Sequence, residues 1–326
     1  MKHTFLLSAF VSLLFANHSA NAQFAPPAGQ VGTTAMFKDS SAFVAWATAG
    51  KLVRGLQDIS TPSAGYANVG DSASAFGMAG TSVVSLGDGG VSILEFLSPI
   101  IDGVGPDFAV FENSFSDTFL ELAFVEVSSD GIYFFRFPAI SNTDTVTQTN
   151  GFGNTDATLI NNLAGKYRGN YGTPFDLTDI PNNTLLNKQN ITHVKIVDVV
   201  GCIQNQYCSR DANNHKVNDP WPTAFGSSGF DLDAVGVIHQ QAVGIEELEL
   251  TNVSIYPNPA STFLTFNLNY NIEFDVIICN SLGEKLYSQS NIKGMFKCNV
   301  SDLMDGIYTA SIISKNSSSV FKFIKN

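Results

Sequence analysis

The feature that most constrains the fold is a succession of short runs rich in β-branched and aromatic residues, each closed by Gly, Asn, Asp or Pro. Such runs predict strands, because these side chains pack well on a pleated surface and the closing residues favour turns. Strands at this spacing predict a sandwich or jelly roll rather than alternating strands and helices. Helical periodicity is confined to 42–56 and 156–164, where we predict short helices. The predicted strands are 82–86, 91–96, 107–112, 120–128, 133–137, 193–200 and 232–238.

Length and charge narrow the classes of function. The 326 residues leave room for one large and one small domain, each with its own core. The net charge of -12 produces a field that repels phosphate, and no cluster of Lys or Arg reverses it locally. Nucleic acid and anionic membranes are therefore excluded as expected partners, whereas divalent cations and neutral glycans remain compatible.

The N-terminus predicts a signal peptide. A charged start at residues 1–3 precedes an apolar run at 4–16, and Ala-Asn-Ala at 20–22 forms a cleavage site. We place the cut after Ala22, which gives a signal peptide of 1–22. No later apolar run is long enough to span a bilayer, so we predict no integral membrane segment in the mature chain.

The chain has four cysteines, Cys202, Cys208, Cys279 and Cys298. Disulfides are expected in an exported protein, and four cysteines allow three connectivities. We predict pairing of Cys202 with Cys208 across a short loop and of Cys279 with Cys298 within the C-terminal region. Zinc and free thiols are the alternatives, but neither pair has C-x-x-C spacing or a His cluster beside it.

A domain boundary falls near residue 250. Residues 241–250 are predicted to form a linker, and two prolines, Pro257 and Pro259, then precede runs of alternating apolar residues. Proline breaks strand pairing, so its position marks the start of a new module. We predict a jelly-roll-like front domain at 23–240 and a small Ig-like sandwich at 251–326.

The C-terminal module carries a set of short motifs in a specific order. They are Tyr256-Pro257-Asn258-Pro259, Asn280-Ser281-Leu282-Gly283, Gly306-Ile307-Tyr308 and Phe323-Ile324-Lys325. With these motifs, residues 255–326 resemble the type A sorting domain of the type IX secretion system of Bacteroidota. The resemblance implies that the type IX machinery carries the chain through the outer membrane, with release or attachment at the surface.

The front domain also resembles a family. Its sequence segments 107–113, 121–131 and 230–235 are similar to segments of an uncharacterised group of exported bacterial cell-surface proteins. The resemblance implies a fold and no established activity. The layout is also similar to jelly-roll modules that bind carbohydrate or surfaces.

The loop 211–220 is the most specific candidate for a metal site. Asp211, Asn213 and Asp219 place oxygen atoms where a loop can wrap calcium, although the EF-hand pattern fails here. An ordinary Asx-rich turn explains the loop equally well. Asp231 and Asp233 would share one face of a strand, where like charges call for a cation, protons or solvent. We predict calcium ligands among these five residues.

Further acidic residues lie in or beside strongly apolar strands. By alternation Asp107 and Glu112 point to opposite faces, as do Glu121 and Glu126. We interpret them as cation ligands, cross-strand partners of Lys or Arg, or residues at strand ends. A glycosidase needs two carboxyls at a defined separation, which a sequence does not establish. We predict no catalytic residue.

Three aromatic residues on loops are candidates for ligand contact. Trp221 lies between two prolines, and Tyr167 and Tyr171 belong to a Gly-rich and polar loop. An exposed ring on a stiff loop can stack on a sugar or a partner surface, whereas core packing is the alternative. The sequence thus predicts a secreted or surface binding protein, non-catalytic and calcium-stabilised, for glycan or protein ligands. A secreted polysaccharide hydrolase and a structural surface-layer component are the alternatives.

Overall fold

The computed structural model describes residues 24–80, 82–241, 253–268, 273–314 and 318–326. The predicted signal peptide and nearly all of the predicted linker lie outside the described residues. The chain divides into two compact units, 1–241 and 242–326. The two units are the front domain and the C-terminal domain below.

The front domain contains short antiparallel strands and a few 3₁₀ turns. The strands are β1 (Met36–Phe37), β2 (Ala45–Trp46), β3 (Ala49–Val53), β4 (Val84–Ser85), β5 (Val91–Ile100), β6 (Phe108–Glu112), β7 (Ala123–Ser128), β8 (Phe135–Arg136), β9 (Ile140–Ser141), β10 (Ile160–Asn161), β11 (Tyr171–Phe175), β12 (Ile191–Asp198) and β13 (Asp231–Val237). The 3₁₀ turns are Pro62–Ala64, Ser72–Ala75, Ala157–Leu159 and Leu177–Asp179.

These strands form two main sheets. One has the order β1-β11-β6-β13-β2, with β4 paired to β13, and the other has the order β3-β5-β12-β7-β8. The core contains side chains from both sheets, among them Phe108 and Val235 from the first and Leu94 and Val194 from the second. The predicted all-β sandwich is therefore confirmed.

All seven predicted strands of the front domain are present, with small shifts at their ends. The predicted helix at 42–56 is wrong, because this stretch contains β2 and β3. Five residues of β3 pair with β5, and this long-range pairing outweighs the weak local helical pattern. At 156–164 the structure has the 3₁₀ turn Ala157–Leu159 followed directly by β10, so only a single helical turn forms there.

Buried carboxylates hold the loops of the front domain in place. At the end of β12, Asp198 accepts hydrogen bonds from the backbone N–H groups of Gly89 at 2.8 Å and Phe230 at 2.7 Å. Asp219 accepts one from Leu122 at 2.9 Å. Burial raises the pKa of both carboxyls well above the ordinary range, and their mutual charge raises the pKa of Asp219 further. The segments before β5, β7 and β13 are thereby fixed to the end of β12 and to the loop that carries Asp219.

The C-terminal domain is an Ig-like sandwich with its own core. Its sheets have the orders β14-β15-β18 and β17-β16-β19-β20. Phe266 from the first sheet and Phe274 and Phe323 from the second are buried together. The strands are β14 (Val253–Tyr256), β15 (Phe263–Leu268), β16 (Glu273–Asn280), β17 (Lys285–Lys293), β18 (Met295–Asn299), β19 (Gly306–Ser314) and β20 (Ser318–Lys325).

The predicted disulfides are wrong, because Cys202, Cys208, Cys279 and Cys298 are all free. Cys202 is buried beside Trp221, and its sulfur accepts a hydrogen bond from the backbone of Gln204. The Cys208 thiol instead donates to the carbonyl of Asn205. Cys279 and Cys298 lie on β16 and β18, which belong to different sheets.

Two leucines on one strand provide a test of the core. Leu94 and Leu97 both lie in β5, but Leu94 is fully buried whereas Leu97 is 90% exposed. We expect Leu94→Ala to lower the free energy of unfolding by about 2–5 kcal/mol, because it leaves a cavity between the sheets. Leu97→Ala should change it by less than about 0.5 kcal/mol. Urea denaturation of both variants checks this, and equal effects would contradict the assigned faces of β5.

Candidate ligand-binding pocket

The front domain has a pocket of about 190 Å³ where three loops meet next to the start of β13. The loops follow β6, precede β10 and precede β13. The pocket walls are aromatic and its floor is acidic. Its lining includes Phe115, Phe119, Phe152, Phe225, Glu121 and Asp231.

Four phenylalanine rings form a row along this pocket. The centroids of Phe115 and Phe119 are 4.9 Å apart, those of Phe119 and Phe152 are 6.3 Å apart, and those of Phe152 and Phe225 are 5.7 Å apart. All three pairs are stacked, with interplanar angles between 17° and 24°. Phe115 and Phe152 are more than 70% exposed. We call these four residues the phenylalanine row. Contiguous exposed apolar surface of this kind is typical of binding sites.

Three carboxyl groups lie at and behind the floor of the pocket. Glu121 and Asp231 line it, and both are more than nine-tenths buried. Glu112, at the end of β6, is 1% exposed, and among the described residues no side chain pairs with its carboxylate oxygens. Only the adjacent backbone N–H groups of Asn113 and Ser114 oppose the rise of its pKa. Asp231 accepts a short hydrogen bond from the hydroxyl of Ser85. Within the described part of the chain, no Lys, Arg or His forms an ion pair with any of the three.

The environment of these groups favours their neutral forms. Burial raises the pKa of Glu112 well above its ordinary value. Burial does the same for Glu121, and the neighbouring charges of Glu112 and Asp231 add to the effect. Burial raises the pKa of Asp231 to about 6, although hydrogen bonds from Ser85 and Asn113 oppose the shift. The floor is therefore a set of carboxyls without a compensating cation.

Asp211 serves as an anchor for its own loop. Its Oδ1 accepts the backbone N–H groups of Asn213 at 2.9 Å and His215 at 2.8 Å. Its Oδ2 accepts that of Ser141 at 3.0 Å. These are the hydrogen bonds of an Asx-rich turn, which was the alternative explanation of this loop. Asn213 itself is exposed.

The other predicted calcium ligands are held by different segments. Asp219 accepts from Leu122, Asp231 from Ser85, and both oxygens of Asp233 from the N–H of Gly80 at 2.8 Å. Asp231 and Asp233 are buried rather than facing solvent. Among the described residues, one group of three acidic side chains has its ligand atoms within 4.8 Å of one another, and it contains none of the predicted ligands. That group is Asp102, Asp107 and Asp176. Calcium binding stays a prediction.

Two of the three predicted stacking residues are not available for a ligand. Trp221 is 7% exposed, and its Nε1 donates to Asp88 Oδ2 at 3.1 Å. Tyr167 is fully buried, and its hydroxyl shares a hydrogen bond with that of Thr34 at 2.8 Å. Both polar ends are satisfied inside the fold, so the exposed platform predicted for these residues is wrong. Tyr171 is partly exposed and packs against Phe37 and the guanidinium of Arg168.

Other acidic residues have structural partners. Glu126 in β7 forms ion pairs with Arg136 at 2.7 Å and with Lys195, so it is a cross-strand partner. Asp107, just before β6, accepts the N–H groups of Gly103 and Leu177 and contacts the ring of His239. Neither residue belongs to the pocket.

The phenylalanine row was missed in the sequence. Each ring stands alone in a polar segment, for example Phe152 between two glycines. No motif joins them, because the three loops that carry them are separated by long stretches of chain. A signal was nevertheless present, since an isolated Phe in a Gly- and Ser-rich loop has no local core to enter.

The motif that starts the C-terminal domain is tied to the last strand. Asn258 accepts the N–H of Ile324 at 2.9 Å and donates to the carbonyl of Lys322 at 3.1 Å. Its neighbours Tyr256, Pro257 and Pro259 lie at the end of β14 and in the following turn. On β19, which begins at Gly306, the hydroxyl of Tyr308 donates to the carbonyl of Met304, and its ring stacks on Phe323.

Comparison with known families identifies the C-terminal domain. Residues 254–326 match the model of the secretion system C-terminal sorting domain. The chain therefore carries a type IX sorting domain, and it is a secreted or outer-surface protein. The type IX machinery is its implied export partner. No curated protein matches the chain. Among the described residues, no helix has the length and apolarity needed to cross a bilayer.

Solved structures with detectable likeness are distant. PorZ, a surface component of the type IX secretion system of Porphyromonas gingivalis, is 20% identical over 29% of this chain and 14% of its own, with a TM-score of 0.22. The BSP domain of a biofilm-associated protein is 11% identical over 88% of this chain and 52% of its own, with a TM-score of 0.24. A β-glucuronidase from Ruminococcus gnavus is 10% identical over 72% of this chain and 36% of its own, with a TM-score of 0.18. The chain thus spans at most about half of these proteins, and such low TM-scores support no functional argument.

The raised pKa of Asp231 makes the stability of the front domain depend on pH. A carboxyl whose pKa rises from 3.8 to about 6 on folding binds its proton more tightly in the folded state. Its contribution to stability is therefore largest at low pH and is lost as pH rises through about 6. We expect Asp231→Asn to raise the melting temperature at pH 8 more than at pH 5. The exposed Asp39 provides the control variant Asp39→Asn, and a pH-independent effect of Asp231→Asn would contradict the assignment.

Proposed function

We propose that this protein is a non-catalytic glycan-binding protein that the type IX system exports to the cell surface or medium. The observation that carries the proposal is the phenylalanine row beside a pocket. Flat apolar rings stack on the C–H faces of sugar rings, and polar groups at the floor can accept hydrogen bonds from hydroxyls. The sorting domain supplies the export signal and leaves the front domain to bind.

The position of the rings supports this function over a purely structural one. Phe115 and Phe152 expose most of their surface although a fold gains about 1.5–3 kcal/mol from burying a Phe side chain. The rings are stacked on one another instead of being inserted into the core. A binding surface explains why the rings of Phe115 and Phe152 stay exposed instead of being buried.

A hydrolase that acts on polysaccharide is the second candidate. One observation favours it: two carboxyls with raised pKa, Glu121 and Asp231, line the same pocket. A raised pKa suits a general acid. Release of reducing ends by the full mature chain, lost in Glu121→Gln and in Asp231→Asn, would favour the enzyme over the binding protein.

Removal of a ring from the row tests the binding proposal. We expect Phe152→Ala to weaken binding to glycans on an array by about fivefold to tenfold, because a lost aromatic stacking contact is worth about 1–1.4 kcal/mol. The control is Phe37→Ala, which removes a partly exposed ring outside the pocket. Unchanged glycan binding by Phe152→Ala would contradict the proposed site.

We also propose that calcium stabilises the front domain. Two features support it: the net charge of -12 and the group Asp102, Asp107 and Asp176. Asp107 Oδ1 accepts the N–H of Gly103 and contacts the ring of His239, whereas its Oδ2 accepts the N–H of Leu177 and has a lone pair left that suits a hard cation.

A chelator tests this proposal. We expect excess EDTA to lower the melting temperature of the full mature chain, and calcium to restore it, because a ligand bound only by the folded state stabilises that state. Asp176→Asn should abolish the response, whereas Asp39→Asn should preserve it. A melting temperature that EDTA does not change would exclude structural calcium.

A further inference from the structure

The carboxyl groups of the pocket restrict the chemical class of the ligand further than the phenylalanine row does. Glu121 and Asp231 line the pocket, and Glu112 lies close enough behind them for its charge to be the largest electrostatic effect on Glu121. Two carboxyls thus line one small volume, with a third buried near them. Neutral sugars do not require paired carboxyl groups, since hydroxyls hydrogen-bond equally well to amides and backbone carbonyls.

Glu112 is the least satisfied of the three. It is 1% exposed, and among the described residues its carboxylate oxygens have no side-chain partner and only the backbone N–H groups of its chain neighbours Asn113 and Ser114 near them. A buried polar atom without a partner costs about 1–3 kcal/mol, and more when it is charged. Most other buried carboxylates of this domain avoid that cost, as Asp198 and Asp219 do through backbone N–H groups. No cation of the described fold pairs with this group of carboxyls, and a positive charge that enters the pocket would meet Glu121 and Asp231, which line it.

An organic cation fits the pocket better than a metal ion does. The carboxyls of the pocket are not part of the described group in which three acidic ligand atoms lie within 4.8 Å of one another. They are therefore not gathered around a single ion. An ammonium group instead forms separate hydrogen bonds to acceptors, and its charge is also attracted by aromatic faces such as those of the phenylalanine row.

The size of the pocket limits what enters it. Its volume of about 190 Å³ is below the range of about 300–1,000 Å³ typical of sites that enclose a whole drug-sized ligand. It therefore accepts one small unit of a larger molecule. The rest of that molecule would lie along the row, where the exposed rings of Phe115 and Phe152 offer flat surfaces suited to successive sugar rings.

We propose that the pocket binds an amino sugar unit of a glycan, with its protonated amine directed at Glu121 and Asp231 and its ring against the phenylalanine row. The proposal rests on the glycan-binding function and adds the charge of the ligand. Burial favours the neutral carboxyls in the empty pocket, and a bound ammonium shifts Glu121 and Asp231 toward their ionised forms. Glu112 is not part of the lining and does not touch the sugar.

Two glycans that differ only at the amine test this proposal. Oligomers of β-1,4-linked glucosamine carry protonated amines in weakly acidic solution, and the matching N-acetylated oligomers are neutral. We expect the full mature chain to bind the glucosamine oligomer at least about tenfold more tightly in calorimetric titration, since a charged hydrogen bond contributes about 1.5–3 kcal/mol. High salt should reduce this preference.

Variants of the floor separate charge from shape. Glu121→Gln and Asp231→Asn keep the size of each side chain and should bring the two affinities within about threefold of each other, which corresponds to less than 1 kcal/mol. Thermal melting verifies that both variants fold. Asp39→Asn, which removes one exposed charge outside the pocket, should preserve the preference.

The outcomes distinguish this proposal from the function on which it rests. Equal binding of the two oligomers, or tighter binding of the acetylated one, would overturn the amino sugar and leave the glycan-binding function standing. Binding of neither oligomer nor any glycan on an array would overturn both. A lysine peptide that binds when no glycan does would assign the carboxyls to a basic protein partner and would also overturn the amino sugar.

Discussion

Hydrogen bonds from loop backbone to buried carboxylates are the interaction on which the front domain depends. Asp107, Asp198, Asp211, Asp219 and Asp233 each accept one or more backbone N–H groups from a loop. A sandwich of short strands leaves much of its chain in loops, and those loops contain polar groups that need partners when they are buried. A carboxylate supplies several acceptor positions at once and so fixes a loop that no regular ladder could hold.

This arrangement has an electrostatic consequence at the end of the sandwich. Carboxyls concentrated at loop junctions raise one another's pKa, as the charge of Asp198 does for Asp219 and that of Glu112 does for Glu121. Backbone donors lower the pKa of Asp198 and Asp219, although burial outweighs them. At the pocket Glu112 has no side-chain partner among the described residues, and only the backbone of Asn113 and Ser114 opposes the rise of its pKa. The same feature that orders the loops therefore creates a site with a deficit of positive charge, next to rings that the core does not enclose.

The C-terminal domain has a function different from that of the front domain. It has its own hydrophobic core, and its signature residues tie the beginning of the domain to its last strand through Asn258. Its family assignment accounts for export and says nothing about the ligand. The function of the chain is therefore to be sought in the front domain, where the loops rather than the strands carry the distinctive chemistry.

Local patterns in the sequence were enough to predict the strands, the sandwich class and the sorting domain. Strand propensity and turn residues act over a few positions, and the motifs Tyr256–Pro259 and Gly306–Tyr308 lie in continuous segments. The binding residues were not predictable in this way. Whether Trp221 is exposed, whether Cys279 meets Cys298, and which carboxyls lack a partner all depend on segments far apart in the chain. The phenylalanine row exists only because folding brings three loops together, and long-range packing of that kind has no local signature.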